Sequence, residues 1–111
     1  MRAIGALPDD PALHACLLAY ASDFGFITTA LLPHGVTGQT PGMHVASLDH
    51  VMWFHRPFRA DEWLLYDMGS PAAAGSRGLV RGGVYTERGQ LVVTTAQEGL
   101  IRMRKPADAP T

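Results

Sequence analysis

The stretch GLVRGGVYTERGQLVVTTAQEGLIRM, residues 78–103, decides the fold of this chain. It consists of two runs rich in β-branched and apolar residues, separated by a polar tetrapeptide whose central Arg88-Gly89 pair suits a tight turn. The pattern predicts a β-hairpin with strands at Gly78–Thr86 and Gln90–Met103. The second strand is long enough to cross a curved sheet.

The last strand also indicates which face of the sheet is inside, because successive side chains point to opposite faces. Arg102 and Arg104 share one face, which predicts that this face meets solvent. Ile101 and Met103 are then expected in the core, and Gln97 shares their face. An unpaired buried amide costs roughly 1–3 kcal/mol, so Gln97 is expected either in a hydrogen-bond network or beside a cavity that admits water or ligand.

Two further strands, His44–His55 and Glu62 to about Ser70, precede the hairpin, and Arg2–Leu7 is a candidate edge strand. A helix is predicted to begin at Asp10-Pro11, because the carboxylate can accept first-turn amides and proline suits the first helical position. Helical periodicity predicts a buried stripe. Its members are Leu13, Cys16, Leu17, Tyr20 and Phe24.

The end of this helix is less sharply determined. It is expected near Asp23 or Gly25, or after a continuation through Ile27 to Leu32, with Pro33 as the stop. A helix followed by an antiparallel meander predicts an α+β fold with the helix packed on one sheet face.

Three polar residues fall where the pattern favours apolar ones. If the helix continues, Asp23 joins the inward stripe near the sheet; otherwise it splays to water at a helix end that disfavours negative charge. Ser47 and Asp49 share one face of the first strand, which is apolar on both faces and is therefore expected to be central or covered by another subunit. Asp49 beside His50 is interpreted as a structural pair.

The composition excludes several classes of function. The chain has 111 residues, 17% of them charged, with a formal net charge of -1, so binding to nucleic acid through clustered cations is not expected. Cys16 is the only cysteine and the histidines are scattered, which predicts neither a disulfide nor a metal site. We expect one domain over residues 1–104, a flexible tail at 105–111, no membrane span, no secretory signal and a cytoplasmic location.

The run SLDHVMWFHRPF at residues 47–58, followed by EWLLY at 62–66, closely resembles the C-terminal half of the acyl-CoA thioesterase II family. The correspondence runs from Leu7 to Arg102. Shorter matches are AYASD at 19–23, PHG at 33–35, RG at 77–78 and TAQEG at 95–99.

The resemblance implies a hot-dog fold, in which a central helix packs on a curved antiparallel sheet. It also implies hydrolysis of fatty acyl-CoA to free fatty acid and CoA, as part of lipid metabolism, with no metal and no cofactor. The family's catalytic Asp, Thr or Ser, and Gln fall on Asp23, Ser47 and Gln97. The acyl slot is expected beside Phe24, Phe26 and Met52.

Members of that family carry two such units in tandem, whereas this chain resembles only the second. The expected assembly is therefore a homodimer or larger homo-oligomer that completes the acyl channel. The alternative is a non-catalytic acyl-CoA-binding or accessory subunit that needs a partner half. A related hydratase is disfavoured, because the Asp and His pair expected on a hydratase loop is not recognisable.

Overall fold

A computed structural model describes residues 1–23, 26 and 43–103 of the chain. It contains one helix, α1 (Pro11–Ala21), and five strands: β1 (Met43–Ser47), β2 (Val51–Phe54), β3 (Leu64–Ala74), β4 (Arg77–Thr86) and β5 (Leu91–Met103). This confirms the predicted α+β class. The continuation of the helix through Leu32, the stop at Pro33, the placement of Phe24 and the tail at 105–111 lie outside the described residues.

Helix α1 begins where the sequence predicts. The Asp10 carboxylate accepts a hydrogen bond from the amide of Ala12 at 3.1 Å, and Pro11 occupies the first helical position. The helix ends at Ala21, and the amide of Ser22 donates to the carbonyl of Leu18 at 2.8 Å. Asp23 therefore follows the helix instead of continuing it.

The buried face of α1 differs from the predicted stripe. Cys16 and Tyr20 are exposed, whereas His14, Leu18 and Ser22 are buried. The prediction is wrong because this helix is apolar nearly all round, so hydrophobic spacing alone does not select a face. The buried face is determined by residues outside the helix that contact it, and some of these contacts are polar.

His14 illustrates this selection. Its Nε2 lies 2.9 Å from the carbonyl oxygen of Pro8, and its Nδ1 accepts a hydrogen bond from the amide of Ala60 at 2.9 Å. With both ring nitrogens paired, the imidazole can be buried without leaving an unsatisfied polar atom. Every buried polar side-chain atom in the described part of the chain has a hydrogen-bond partner.

The strand order is β1-β5-β4-β3, with β2 also paired to β5, and all pairs are antiparallel. The expected meander holds for β3, β4 and β5 but is wrong for the first strand, which pairs with the last. That predicted strand is two short strands at the edge of the described sheet, so it is not central. Residues 2–7 form no strand; instead the amide of Ala3 donates to the carbonyl of Ala60 at 2.7 Å.

A one-residue irregularity separates β1 from β2. Ser47 lies opposite Gly99 and Val51 lies opposite Ala96, so three residues on one side face two residues of β5. An extra residue reverses the facing of the strand that follows it. Met52 therefore faces the same side of the sheet as Ser47, whereas an uninterrupted strand would place them on opposite faces.

Both hairpins close through left-handed backbone at their turns. Gly89 has φ 79° in the β4–β5 turn, and the amide of Thr86 donates to the carbonyl of Gln90 at 3.0 Å, as the sequence predicts. The β3–β4 turn at Gly75-Ser76, with φ 62° and 61°, is not predicted from the sequence. Two consecutive positive φ values are typical of a type I′ turn, which matches the twist of the flanking strands.

The core consists of two clusters of buried residues, and Tyr66 packs against both. The first contains Leu18 of α1 with Leu64, Val84, Val92 and Val93. The second contains Phe26 and Val80, with Val45, Tyr66, Met68 and Ile101 packed around them. No helix among the described residues is long and apolar enough to cross a bilayer.

Tyr66 crosses the sheet above Gly82. A Cβ atom added at Gly82 would lie 2.5 Å from Cε1 of Tyr66 and 3.0 Å from Oγ1 of Thr95, and the tyrosine hydroxyl lies 2.8 Å from that same Oγ1. Phe26 packs on Tyr66 at a ring-centroid distance of 5.4 Å, so the tyrosine ring has little room to move. Glycine at position 82 is therefore required by close packing.

Gly82→Ala is expected to lower the free energy of unfolding by about 1–3 kcal/mol, because the added methyl displaces a packed ring and its hydrogen bond. Urea denaturation measures the change. Gly69→Ala is the matched control, since nothing lies within 4 Å of its Cβ position. Equal stability losses for the two variants would contradict the packing role of Gly82.

A charged clamp joins the segment before α1 to the loop before β3. The guanidinium of Arg59 donates to both carboxylate oxygens of Asp61, at 3.0 and 2.9 Å, and also contacts Asp9. The amide of Leu7 donates to Asp61 Oδ2 at 2.8 Å. The Arg59 hydrogen bonds, together with the Leu7 amide, lower the pKa of Asp61 to about 2.

The folded-state pKa of Asp61 lies below the unfolded-chain value of about 3.9. The ionised carboxylate therefore stabilises the fold at pH values above about 4, and this contribution is lost as the pH falls toward 2. We therefore expect Asp61→Asn to lower the melting temperature most above pH 4, with the difference from wild type shrinking toward pH 2. Thermal unfolding followed by circular dichroism from pH 2 to 7 tests this. Glu87→Gln, at an exposed carboxylate in the β4–β5 turn, is the matched control.

Candidate active site

The candidate site is a cluster of polar side chains. At its centre is the side-chain amide of Gln97, on the inward face of β5. It is only 1% exposed. Its Nε2 donates to the hydroxyl oxygen of Ser47, and its Oε1 lies 2.6 Å from Nδ1 of His50. Of the two alternatives for Gln97, the structure shows the hydrogen-bond network.

Ser47 reaches Gln97 from the last position of β1. It is an exposed residue, so the cluster runs from a buried amide to the protein surface. Asp49, which alternation could not separate from Ser47, has a different environment. Its Oδ1 accepts the amide of Glu98 at 2.7 Å, and both ring nitrogens of His50 contact other side chains, so the expected structural pairing of Asp49 with His50 is wrong.

Asp23 lies in the turn that follows α1. Its side chain is 52% exposed, as the alternative without a continued helix predicts, and its Oδ1 is 3.9 Å from Nδ1 of His50. The amide of Phe26 donates to the carbonyl of Asp23 at 3.3 Å, and Phe26 itself is completely buried. The buried ring thus anchors the turn that presents the carboxylate.

His50 is the residue that connects these groups. Its Nδ1 faces both Gln97 and Asp23, and its Nε2 lies 2.9 Å from Oγ of Ser22. Phe26 packs edge-on against the imidazole at a centroid distance of 5.7 Å. The sequence reasoning missed His50, because it lies in the irregular segment between β1 and β2, where neither strand nor helix periodicity applies.

Tyr66 borders the same region. Burial raises the pKa of its phenol, the nearby negative charge of Asp23 adds to this rise, and the hydrogen bond with Thr95 partly offsets it. The side chain is therefore a neutral phenol at physiological pH. Thr95 is buried on the same strand face as Gln97, two residues away.

The residues expected beside the acyl slot have different environments. Phe26 has no exposed surface in the single chain, and Met52 is half-buried with its sulfur 3.5 Å from Oγ of Ser22. Phe24 lies outside the described residues. An apolar groove of about 200 Å³ runs along the C-terminal half of α1, but none of the polar residues Asp23, Ser47 and Gln97 lines it.

The arrangement has the parts needed to handle a water molecule. A carboxylate can accept a proton, and a hydroxyl and an amide each have both donor and acceptor capacity. The carboxylate and the amide meet at the imidazole of His50, and the hydroxyl joins them through the amide of Gln97. Groups of these kinds can hold an attacking water and accept its proton, as in enzymes that use general base catalysis.

Comparison with known proteins agrees with this class. A family model described as acyl-CoA thioesterase matches residues 1–100. Acyl-coenzyme A thioesterase 8 of Mus musculus is 52% identical over 105 residues, which are 94% of this chain. Acyl-CoA thioesterase 2 of Haemophilus influenzae is 50% identical over 98 residues, or 88% of this chain. The chain therefore belongs to the acyl-CoA thioesterase family.

Solved structures identify the fold. The crystal structure of acyl-CoA thioesterase II TesB2 from Mycobacterium marinum has 49% sequence identity and a TM-score of 0.85, covering 97% of this chain and 41% of that one. The expected hot-dog fold is confirmed. The chain spans about one third of the length of the curated relatives it matches, 32% for the mouse protein and 34% for the Haemophilus influenzae protein.

Proposed function

We propose that this chain forms the catalytic unit of an acyl-CoA thioesterase that hydrolyses fatty acyl-CoA to free fatty acid and CoA. The observation that carries the proposal is one linked cluster: Asp23 and Gln97 both face the imidazole of His50, and Ser47 joins the cluster through its hydrogen bond with Gln97. The relatives at about 50% identity are named for this reaction, which supports it independently.

In the proposed mechanism, Ser47 and Gln97 hold a water molecule and the Asp23 carboxylate accepts its proton. The water oxygen bonds to the thioester carbonyl carbon, the carbon–sulfur bond breaks, and the proton passes to the departing CoA sulfur. A thiolate is a good leaving group, so positioning and proton removal supply most of what the reaction needs. The half-exposed carboxylate and the exposed Ser47 leave room for substrate to approach.

The acyl slot is proposed beside Phe24, Phe26 and Met52. Met52 supports this assignment, since the irregularity between β1 and β2 brings it to the same sheet face as Ser47. Phe26 is buried behind the imidazole, so in the single chain it can form only the inner wall of such a slot. The placement of substrate beside Phe24 stays a prediction.

A second copy of the chain is proposed to complete the channel. The edge of the sheet at and before β2 carries four large apolar side chains, Leu48, Val51, Trp53 and Phe54, each between 41% and 51% exposed. A row of exposed apolar residues on a sheet edge that pairs with no other described strand favours burial against another sheet. A cytoplasmic location and a role in lipid metabolism stay predictions.

Asp23→Asn and Gln97→Ala are each expected to reduce kcat at least about tenfold, because one removes the proton acceptor and the other a group that holds the water. Thiol release from medium- and long-chain acyl-CoA measures turnover, and circular dichroism checks that the variants fold. Asp67→Asn and Gln90→Ala are the matched controls on exposed positions away from the cluster. Unchanged turnover in both site variants would refute the assignment.

An accessory role is the second candidate, because a different subunit could cover the exposed apolar edge as well as a second copy could. A catalytic homo-oligomer should release thiol without added protein and should show at least twice the chain mass by light scattering. An accessory subunit should be inactive alone and gain activity only with the N-terminal half of a tandem relative. The two outcomes separate the candidates.

A further inference from the structure

The imidazole of His50 links Ser22, which follows the last residue of α1, to Gln97 of the proposed centre. One nitrogen faces Gln97 and the other faces Ser22, at 2.6 and 2.9 Å. Gln97 continues the chain of hydrogen bonds to Ser47. These contacts therefore form one continuous hydrogen-bond path in the order Ser22–His50–Gln97–Ser47. The direction in which hydrogen is donated along this path depends on which imidazole nitrogen carries a proton.

The carboxylate of Asp23 selects that direction. It lies 3.9 Å from Nδ1 of His50, and an ionised carboxylate is favoured beside a nitrogen that carries hydrogen. With hydrogen on Nδ1, His50 donates to Oε1 of Gln97. The amide nitrogen of Gln97 must then point toward Ser47, which is the orientation found here.

Ser22 allows this direction to persist in both charge states of the imidazole. Its hydroxyl lies within reach of Nε2 of His50, at 2.9 Å, and of the carbonyl oxygen of Ala19, at 3.0 Å. When the imidazole is neutral, the hydroxyl donates to Nε2. When the imidazole is charged, Nε2 donates to the hydroxyl, which then turns its own hydrogen to Ala19. The Nδ1 hydrogen bond to Gln97 is the same in both cases.

We propose that His50 is the positioning residue of this centre: its Nδ1 hydrogen fixes the amide of Gln97, and thereby leaves the hydroxyl hydrogen of Ser47 free to point toward the water or the thioester. In the opposite direction, Gln97 would donate to His50 and Ser47 would spend its hydrogen on the glutamine oxygen. That arrangement would take from Ser47 the one hydrogen it can donate. The kinetic part of this inference rests on the proposed function.

Nuclear magnetic resonance of the uniformly ¹⁵N-labelled chain tests the direction without any activity. Long-range ¹H–¹⁵N spectra of the imidazoles distinguish hydrogen on Nδ1 from hydrogen on Nε2, and the His50→Asn variant assigns the His50 signals by their loss. Near neutral pH we expect hydrogen on Nδ1. A neutral imidazole with hydrogen only on Nε2 would overturn the proposal, even in an active enzyme.

Two substitutions separate the nitrogens kinetically. In His50→Asn the new side-chain amide nitrogen stands where Nδ1 stands and keeps a donor for Gln97, whereas the longer side chain in His50→Gln reaches toward Ser22 and leaves Oε1 of Gln97 without that donor. We expect His50→Gln to lower kcat about 10- to 100-fold with little change in KM, and His50→Asn to retain most of the activity. His55→Ala is the histidine control, since this exposed residue contacts Thr94 instead of the cluster.

The outcomes distinguish the two proposals. Thiol release absent from the wild-type chain, both alone and with a partner half, would reject the proposed function, and the spectra would still decide the direction of the hydrogen-bond path. Equal losses in His50→Asn and His50→Gln would show a space-filling role and overturn the positioning role. Wild-type kcat in both variants would overturn it as well.

Discussion

The burial of a single amide constrains the arrangement of this protein's polar centre. Gln97 lies inside the sheet with 1% of its surface exposed, and an unpaired amide there would be costly. Its two ends are satisfied by Ser47, from the end of β1, and by His50, from the segment that follows. The hydrogen bonds that permit the burial therefore also assemble the cluster.

The same constraint explains the break in the first predicted strand. A regular strand would turn alternate residues away from Gln97, so Ser47 and His50, three positions apart, would face opposite sides of the sheet. The extra residue opposite β5 brings both to the inward side. Asp49, between them, instead accepts a hydrogen bond from the backbone amide of Glu98 in β5 at the surface. Irregularities of this kind are common next to active sites, where they redirect a side chain.

Apolar packing positions the carboxylate of Asp23. Helix α1 ends before Asp23, and the buried ring of Phe26 contacts the imidazole of His50 and the ring of Tyr66. Gly82 leaves the space that Tyr66 needs to reach Thr95. An acidic side chain at the surface thus depends on apolar contacts beneath it, which connects the stability of the core to the geometry of the cluster.

Local patterns in the sequence determined the start of the helix at Asp10-Pro11, the β4–β5 hairpin and the inward face of β5, because caps, turns and alternation act over a few neighbouring residues. The family resemblance marked Asp23, Ser47 and Gln97. Only the tertiary structure decided the buried face of α1, the pairing of the first strand with the last, and the place of His50. These depend on partners that lie 28 to 50 residues away along the chain, beyond the range of any periodicity.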